Sequence, residues 1–275
     1  MSDRRTVPLD VAKRAPADLR LRQIAFAAHD MERAAAQLGA VFGLAAGYND
    51  PAIIHYGLRN VVLHVGGDFL EVVEPVRADA SAARYLARRG GDSGYMVILQ
   101  AADALAHRER MRGLGAAIAD VLDHREHQAT HFHPREFGGV LVSIDTTPGI
   151  AAWREADSFW QPAGPDWRAA APGLAQGIAA VDIASPDPAA TAARWGRMLD
   201  ATPHEAGDHW RIEMLHGAAI RFVAARDGSP AGIAGLALFT DDPDRVMQRA
   251  HDAGVPSAGD GVMICNVPVR AVARA

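Results

Sequence analysis

One hydrophobic pattern recurs four times along the chain: a short apolar run, an aspartate, then an alanine-rich stretch with apolar positions at helical spacing, closed by Gly or Asp. The runs are residues 24–28, 97–101, 181–185 and 236–239. They are followed by Asp30, Asp103, Asp187 and Asp242, and the helical stretches close at Gly43, Gly115, Asp200 and Gly254, giving spacings of 13, 12, 13 and 12. An aspartate at a helix start accepts hydrogen bonds from orphan N–H groups, and a closing Gly tolerates the left-handed conformation. Capping alone explains one copy. Four copies, each followed by extended segments, predict a repeated βαβββ unit and an α+β fold. Those segments are 60–65 and 69–76 in the first copy, 140–145 in the second, 210–215 and 219–224 in the third, and 262–267 and 269–272 in a fourth that reads as shortened.

Between the second and third copies, residues 147–173 hold four prolines and the tryptophans Trp153, Trp160 and Trp167, seven residues apart. Proline breaks helical continuity, so this reads as a linker packed onto a sheet. The tryptophans either anchor it by burying area or wall a ligand pocket, with Trp160 a substrate-binding candidate. The expected organisation is an N-terminal extension over 1–20, a first domain over 21–147, a linker over 148–173 and a second domain over 174–275.

Composition narrows the function classes. With 28 basic and 33 acidic residues, a net charge of −5 and no long basic stretch, nucleic acid is excluded as a partner. Lys13 is the only lysine, which excludes a Walker-type phosphate loop and argues against Schiff-base chemistry. A single cysteine, Cys265, allows no intrachain disulfide and reads as an inert buried thiol. The first 20 residues lack the apolar core of a signal peptide, and no stretch approaches the roughly 18 apolar residues of a membrane helix, so the expectation is a cytoplasmic protein without a membrane partner.

The tandem units resemble the vicinal oxygen chelate superfamily, the fold of glyoxalase, bleomycin resistance proteins and extradiol dioxygenases, over residues 21–272. The first half is most similar to methylmalonyl-CoA epimerase, on the segments LRQIAFAAHDMERA, FLEVVEPV, ARYLARRGGDSGYMVIL and HFHPREFGGVLVSID. The resemblance implies four βαβββ modules forming two cup-shaped, mostly antiparallel sheets with helices outside. It also implies a divalent metal (Zn, Ni, Co, Mn or Fe) on four strand positions, with metal-free members known. Carried over, those positions fall on Gln23, Glu71, Val97 and Ser143, the last two unsuited to a divalent ion and left as substrate-binding candidates. In the second half they fall near Ala180, Arg221, Gly235 and Arg270, and no metal is expected there.

Local geometry adds to this. Val65-Gly66-Gly67-Asp68 reads as a two-residue hairpin pairing His64 with Phe69. Asn60, Val62 and His64 would then share a face with Phe69, Glu71 and Val73. His64 is a candidate replacement metal ligand or, with Glu71, half of a proton-transfer pair; the bland alternative is a satisfied histidine. Tyr56 and His55 are expected on the second strand of unit one, only one facing inward, as catalytic and substrate-binding candidates. Among His124, His127, His131 and His133, the alignment on HPREFGG turns His131 toward the helices and leaves His133 a weak substrate-binding candidate. Arg59, Arg77, Arg84, Arg88 and Arg89 read as surface charge, the alternative being arginines at a cup mouth that bind a carboxylate or a coenzyme A phosphate. Arg211, Glu213 and Arg221 read as a cross-sheet salt bridge, with anion binding the alternative.

Three functions compete. The leading one is a lyase or isomerase moving a proton next to a small carbonyl or thioester, with Gln23, Glu71 and His64 holding a metal and His64, Glu71 and Tyr56 the acid-base groups. Second is a metal-independent small-molecule-binding protein of the resistance type. Third is extradiol ring cleavage, which needs two histidines and a carboxylate on iron. A monomer and a homodimer are both compatible with four units in one chain.

Overall fold

The computed structural model describes residues 17–45, 47–226 and 228–274. Most of the expected N-terminal extension, with Lys13, lies outside the described residues. The first half runs β1 (Arg20–Ala27), α1 (Met31–Phe42), β2 (Leu58–Val65), β3 (Asp68–Pro75), α2 (Ser81–Arg89), β4 (Ser93–Gln100), α3 (Ala104–Gly113), β5 (Ile118–Asp123), β6 (Gln128–Phe132) and β7 (Leu141–Thr146). The second half runs β8 (Gly177–Ser185), α4 (Pro188–Leu199), β9 (His204–Ala206), β10 (His209–Glu213), β11 (Ala219–Ala224), β12 (Gly232–Phe239), α5 (Pro243–Asp252), β13 (Ser257–Ala258), β14 (Gly261–Ile264) and β15 (Val267–Val272).

Two mixed sheets result: seven strands ordered β2-β3-β1-β4-β7-β6-β5, and eight ordered β13-β14-β15-β12-β8-β11-β10-β9. In each, the opening strands of two units pair antiparallel at the centre, β1 with β4 and β8 with β12. Each opening strand also pairs parallel with the closing strand of its own unit. The four repeated helices start as the sequence predicts, since Asp30, Asp103, Asp187 and Asp242 each accept a hydrogen bond from the backbone N–H three residues on.

One face of both sheets packs on these helices in a single core that joins the halves, with Phe26, Val72, Val97 and Val142 from the first sheet and Val181, Phe222, Leu236 and Val269 from the second. Arg249 of α5 donates to the Ala40 carbonyl at the end of α1 (2.7 Å), and Arg110 of α3 to the Met198 carbonyl of α4 (2.5 Å). The opposite faces are the concave ones. Among the described residues no helix is long and apolar enough to cross a membrane.

Unit one departs from expectation. In place of its second strand there is a 3-10 turn at Pro51–Tyr56, preceded by a lone bridge between Tyr48 and Val62. Asp50 caps this turn on the Ala52 N–H, Pro51 occupies its first position and Gly57 ends it left-handed at φ 69°. The 65–68 hairpin forms in the expected register, His64 opposite Phe69 and Val62 opposite Glu71. The fourth unit is shortened at β13, and its last hairpin turns on Cys265 and Asn266, both left-handed (φ 50° and 57°).

Candidate active site in the first cup

The concave face of the first sheet is covered by the linker. Trp160, Ala163 and Trp167 pack onto Ala25, Val62, Phe69, Met96 and Ile98, and Trp160 is fully buried. Close approach is possible because Gly67 has no side chain: a Cβ there would lie 2.0 Å from the Ala156 carbonyl oxygen.

At the centre of this face stands Glu71, buried, with both carboxylate oxygens held. Asn60 Nδ2 donates to Oε1 (2.6 Å) and Gln23 Nε2 to Oε2 (2.9 Å). The Gln23 amide is oriented in turn by Trp160, whose indole N–H only donates and reaches Gln23 Oε1 at 2.8 Å. Asn60 is set by the turn before it, the Asp50 N–H donating to its Oδ1 (2.9 Å). Burial pushes the Glu71 carboxyl above its ordinary range, against the two amide donors that favour its charged form.

A second polar group lies on β6 and β7. Ser143 Oγ donates to Asp145, whose other oxygen is 3.1 Å from His127 Nε2. The His127 ring meets Trp160 edge-on at 5.9 Å. Next to it is His131, opposite both Ser143 and Asp120 in the sheet. Burial holds His131 below the usual imidazole range, against the charges of Asp145 and Asp120. Tyr56 reaches across from the 3-10 turn to donate to Asp120 (2.5 Å), its ring 6.4 Å from that of His131. Burial and this hydrogen bond push the Tyr56 phenol upward.

Several expected residues stand elsewhere. Val97 points into the helix-side core, and its neighbour Met96 occupies the cup. Counting seven residues back from each capping aspartate gives Gln23, Met96, Ala180 and Gly235, a signal that would have corrected this. His131 faces the cup and not the helices, since Thr130, its neighbour, bonds Arg108 of α3 (2.7 Å). His133 lies past the end of β6, and its Nδ1 accepts from the Arg135 N–H (3.2 Å) as the cap of a 3-10 turn. His55 is exposed on the other 3-10 turn, so Tyr56 alone of that pair turns toward the cup. His64 packs on Trp167 and Phe69, with ring centroids 5.0 and 5.9 Å away, and its Nε2 is buried without a partner among the described residues. Arg59 and Arg77 pair with nearby acids at the surface as expected.

Sequence reasoning missed Arg22. It sits where the β1–β4 register shifts between Leu21 and Gln23, and the bulge turns it under the rings of Phe69, Trp160 and Trp167, 5.2 to 5.9 Å from their centroids. It is fully buried, donating to the Ser158 carbonyl (2.6 Å) while Nε and Nη1 find no partner among the described residues. Burial, with Arg20 nearby, lowers this guanidinium to about 9.

A hard divalent cation needs several oxygen or nitrogen donors converging on one point. Here Gln23 spends its oxygen on Trp160 and its nitrogen on Glu71, Met96 offers a thioether, and the Ser143 hydroxyl is bound to Asp145. Among the described residues no three His, Cys, Asp or Glu side chains converge, so there is no two-histidine, one-carboxylate iron set, and His64 would add one nitrogen to a Glu71 whose two oxygens are already held by Asn60 and Gln23. The donor set does not fit the expected metal.

Tandem βαβββ units, paired at their opening strands into two cups, define a vicinal oxygen chelate protein. A family model described as a glyoxalase-like domain matches residues 24–199, and the chain belongs to that family. Ethylmalonyl-CoA/methylmalonyl-CoA epimerase of Cereibacter sphaeroides is 24% identical over 130 residues, 46% of this chain and 96% of that protein. Among solved structures, a mutant of 4-hydroxymandelate synthase from Streptomyces coelicolor aligns over 88% of this chain and 76% of its own (TM-score 0.65, 18% identity). A hypothetical protein from Staphylococcus aureus aligns over 93% of this chain and 100% of its own (TM-score 0.66, 11% identity). Both share the fold.

Proposed function

We propose that the chain is an isomerase or lyase that moves a proton on the carbon beside a small carbonyl or thioester, working in the first cup through its own side chains. The observation that carries this reading is Glu71, a buried carboxylate held by two amide donors, with a second acid-base group on β6 and β7. Glu71 takes the C–H proton, the electron pair moves into the carbonyl as an enolate, and a proton returns to the same carbon or its neighbour. Desolvation makes Glu71 a stronger base than a solvated carboxylate, while Asn60 and Gln23 fix where its oxygens point. His131, held neutral by burial, and the Ser143–Asp145–His127 group supply the opposite proton relay. The epimerase relative, whose name gives two 2-alkylmalonyl thioesters, supports placing that substrate class first in a screen.

A second reading is binding without turnover, favoured by Met96 and by the Asp145-bound Ser143 at strand positions that would otherwise offer metal ligands. Deuterium wash-in from heavy water separates the two. A panel of 2-alkylmalonyl thioesters and small 2-oxo compounds is incubated with the protein and followed by mass spectrometry, alongside Glu71→Gln. Exchange into one class, falling at least a hundredfold in the variant with KM little changed, is the expected result. Ligand binding without exchange would replace this reading with the second.

A further inference from the structure

The second cup is open where the first is covered. A cavity of about 440 Å³ lies over it, floored by Ala179, Ala180, Ala237, Phe239 and Val272 and bordered by Arg211, Arg221, His216 and Arg274, a size suited to a small organic molecule. Its floor is all carbon. Its border is cationic, and the charges do not cancel. Arg221 binds both oxygens of Asp182 (2.6 and 2.7 Å), and Arg270 shares the second of them at 2.8 Å. Glu213 is 2.7 Å from Arg211 and 3.4 Å from His204. Arg274 lies over the Phe239 ring at 4.4 Å and has no carboxylate within ion-pair distance among the described residues. Three guanidinium groups therefore border the floor: Arg211 paired with Glu213, Arg221 sharing Asp182 with Arg270, and Arg274 with no carboxylate of its own among the described residues.

Two backbone features mark this cup. Gly235 faces Asp182, and a Cβ there would stand 2.5 Å from its Oδ2, so only glycine leaves the carboxylate in place between the arginines. His216, at the cavity edge, is held left-handed at φ 63° without being glycine, a conformation retained at a cost where surrounding structure fixes it.

We propose that the second cup binds a small organic carboxylate with a flat apolar body, its anionic end met by Arg211 and Arg274 and its body lying on the alanine floor beside Phe239. An inorganic ion would satisfy the charge and leave the floor bare. A neutral apolar molecule would cover the floor and leave the guanidinium surplus facing it. The site is independent of Glu71 and the proton-transfer reading, and its chemistry is recognition.

Isothermal titration calorimetry on the full chain tests it with sodium benzoate and sodium butyrate, against sodium sulfate and benzyl alcohol at matched ionic strength. Benzoate binds the wild type at one site, at least tenfold tighter than sulfate or benzyl alcohol. Arg274→Gln and Arg211→Gln, both at side chains with solvent access, each weaken benzoate at least tenfold while unfolding at the wild-type temperature. Glu71→Gln leaves benzoate affinity within twofold, which separates this site from the first cup. No carboxylate binding, equal binding of sulfate, unchanged affinity in both arginine variants, or loss in Glu71→Gln would each overturn the proposal.

Discussion

The two cups use the same strand positions for opposite electrostatics. In the first, Ala25 on the central strand lies between Glu71 on β3 and Met96 on β4; in the second, Asp182 lies between Arg221 on β11 and Gly235 on β12. The carboxylate has moved from the closing strand to the central one, and arginines have taken the closing strands. In the first cup the negative charge is held by neutral amides and covered by an indole, so burial raises its proton affinity. In the second it is held by guanidinium groups that also leave positive charge over an open floor. A repeated backbone thus fixes where chemistry can sit without fixing which chemistry it is.

The comparison breaks most severely at Trp160. Truncation to alanine removes a fully buried indole and the hydrogen bond that orients Gln23, an expected loss of about 3–5 kcal/mol. Trp160→Phe keeps most of the packing and is expected to cost about 1–2 kcal/mol, the share of the indole hydrogen bond and an unpaired Gln23 oxygen. Urea unfolding of both variants measures the difference; a Trp160→Phe variant as stable as the wild type would mean that Trp160 only fills space.

Asp182→Ala comes next. It leaves Arg221 and Arg270 facing each other without their carboxylate. Removing one partner of a buried ion pair costs about 3–5 kcal/mol, and here the arginine side chains are about one-fifth exposed, so the expected loss is about 2 kcal/mol. Added benzoate is expected to recover part of it by standing in for the lost charge, read as a rise in melting temperature larger than in the wild type. No greater rise would detach the arginines from anion recognition.

What the sequence disclosed followed from local rules. The capping aspartates, the Gly66-Gly67 hairpin and the resulting face shared by Asn60, His64 and Glu71 depend on a few adjacent residues, and each stands as expected. The site was legible only in part, because its remaining members depend on pairing between distant strands. Arg22 enters the cup through a bulge against β4 that its own sequence does not mark. His131 faces inward with Ser143 opposite it, a pairing of β6 with β7 that the residues around His131 do not mark. The 3-10 turn at Pro51–Tyr56 was legible, since Asp50-Pro51 carries both a cap and a helix-starting proline, and a strand was expected there from the resemblance to related enzymes.

The smallest expected effect is a pH dependence of stability carried by buried histidines, His131 in the first cup foremost. Burial lowers the His131 pKa below its unfolded value of 6.5. Between those two values the unfolded chain binds more protons than the folded one, so stability falls with falling pH there. The contribution is neutral above about pH 6.5, where His131 is uncharged in both states, and becomes a full penalty below the folded-state pKa. Asp145 and Asp120, whose charges oppose the shift, keep it smaller than burial alone would make it. Denaturant unfolding from pH 7.5 to 5 is therefore expected to show a shallower loss in His131→Gln than in the wild type, while His216→Gln, at the second cup and likewise lowered by burial, repeats this on the other sheet. If His131→Gln follows the wild-type slope throughout, the imidazole is already solvated enough to titrate normally, and its part as the neutral partner of Glu71 fails with it.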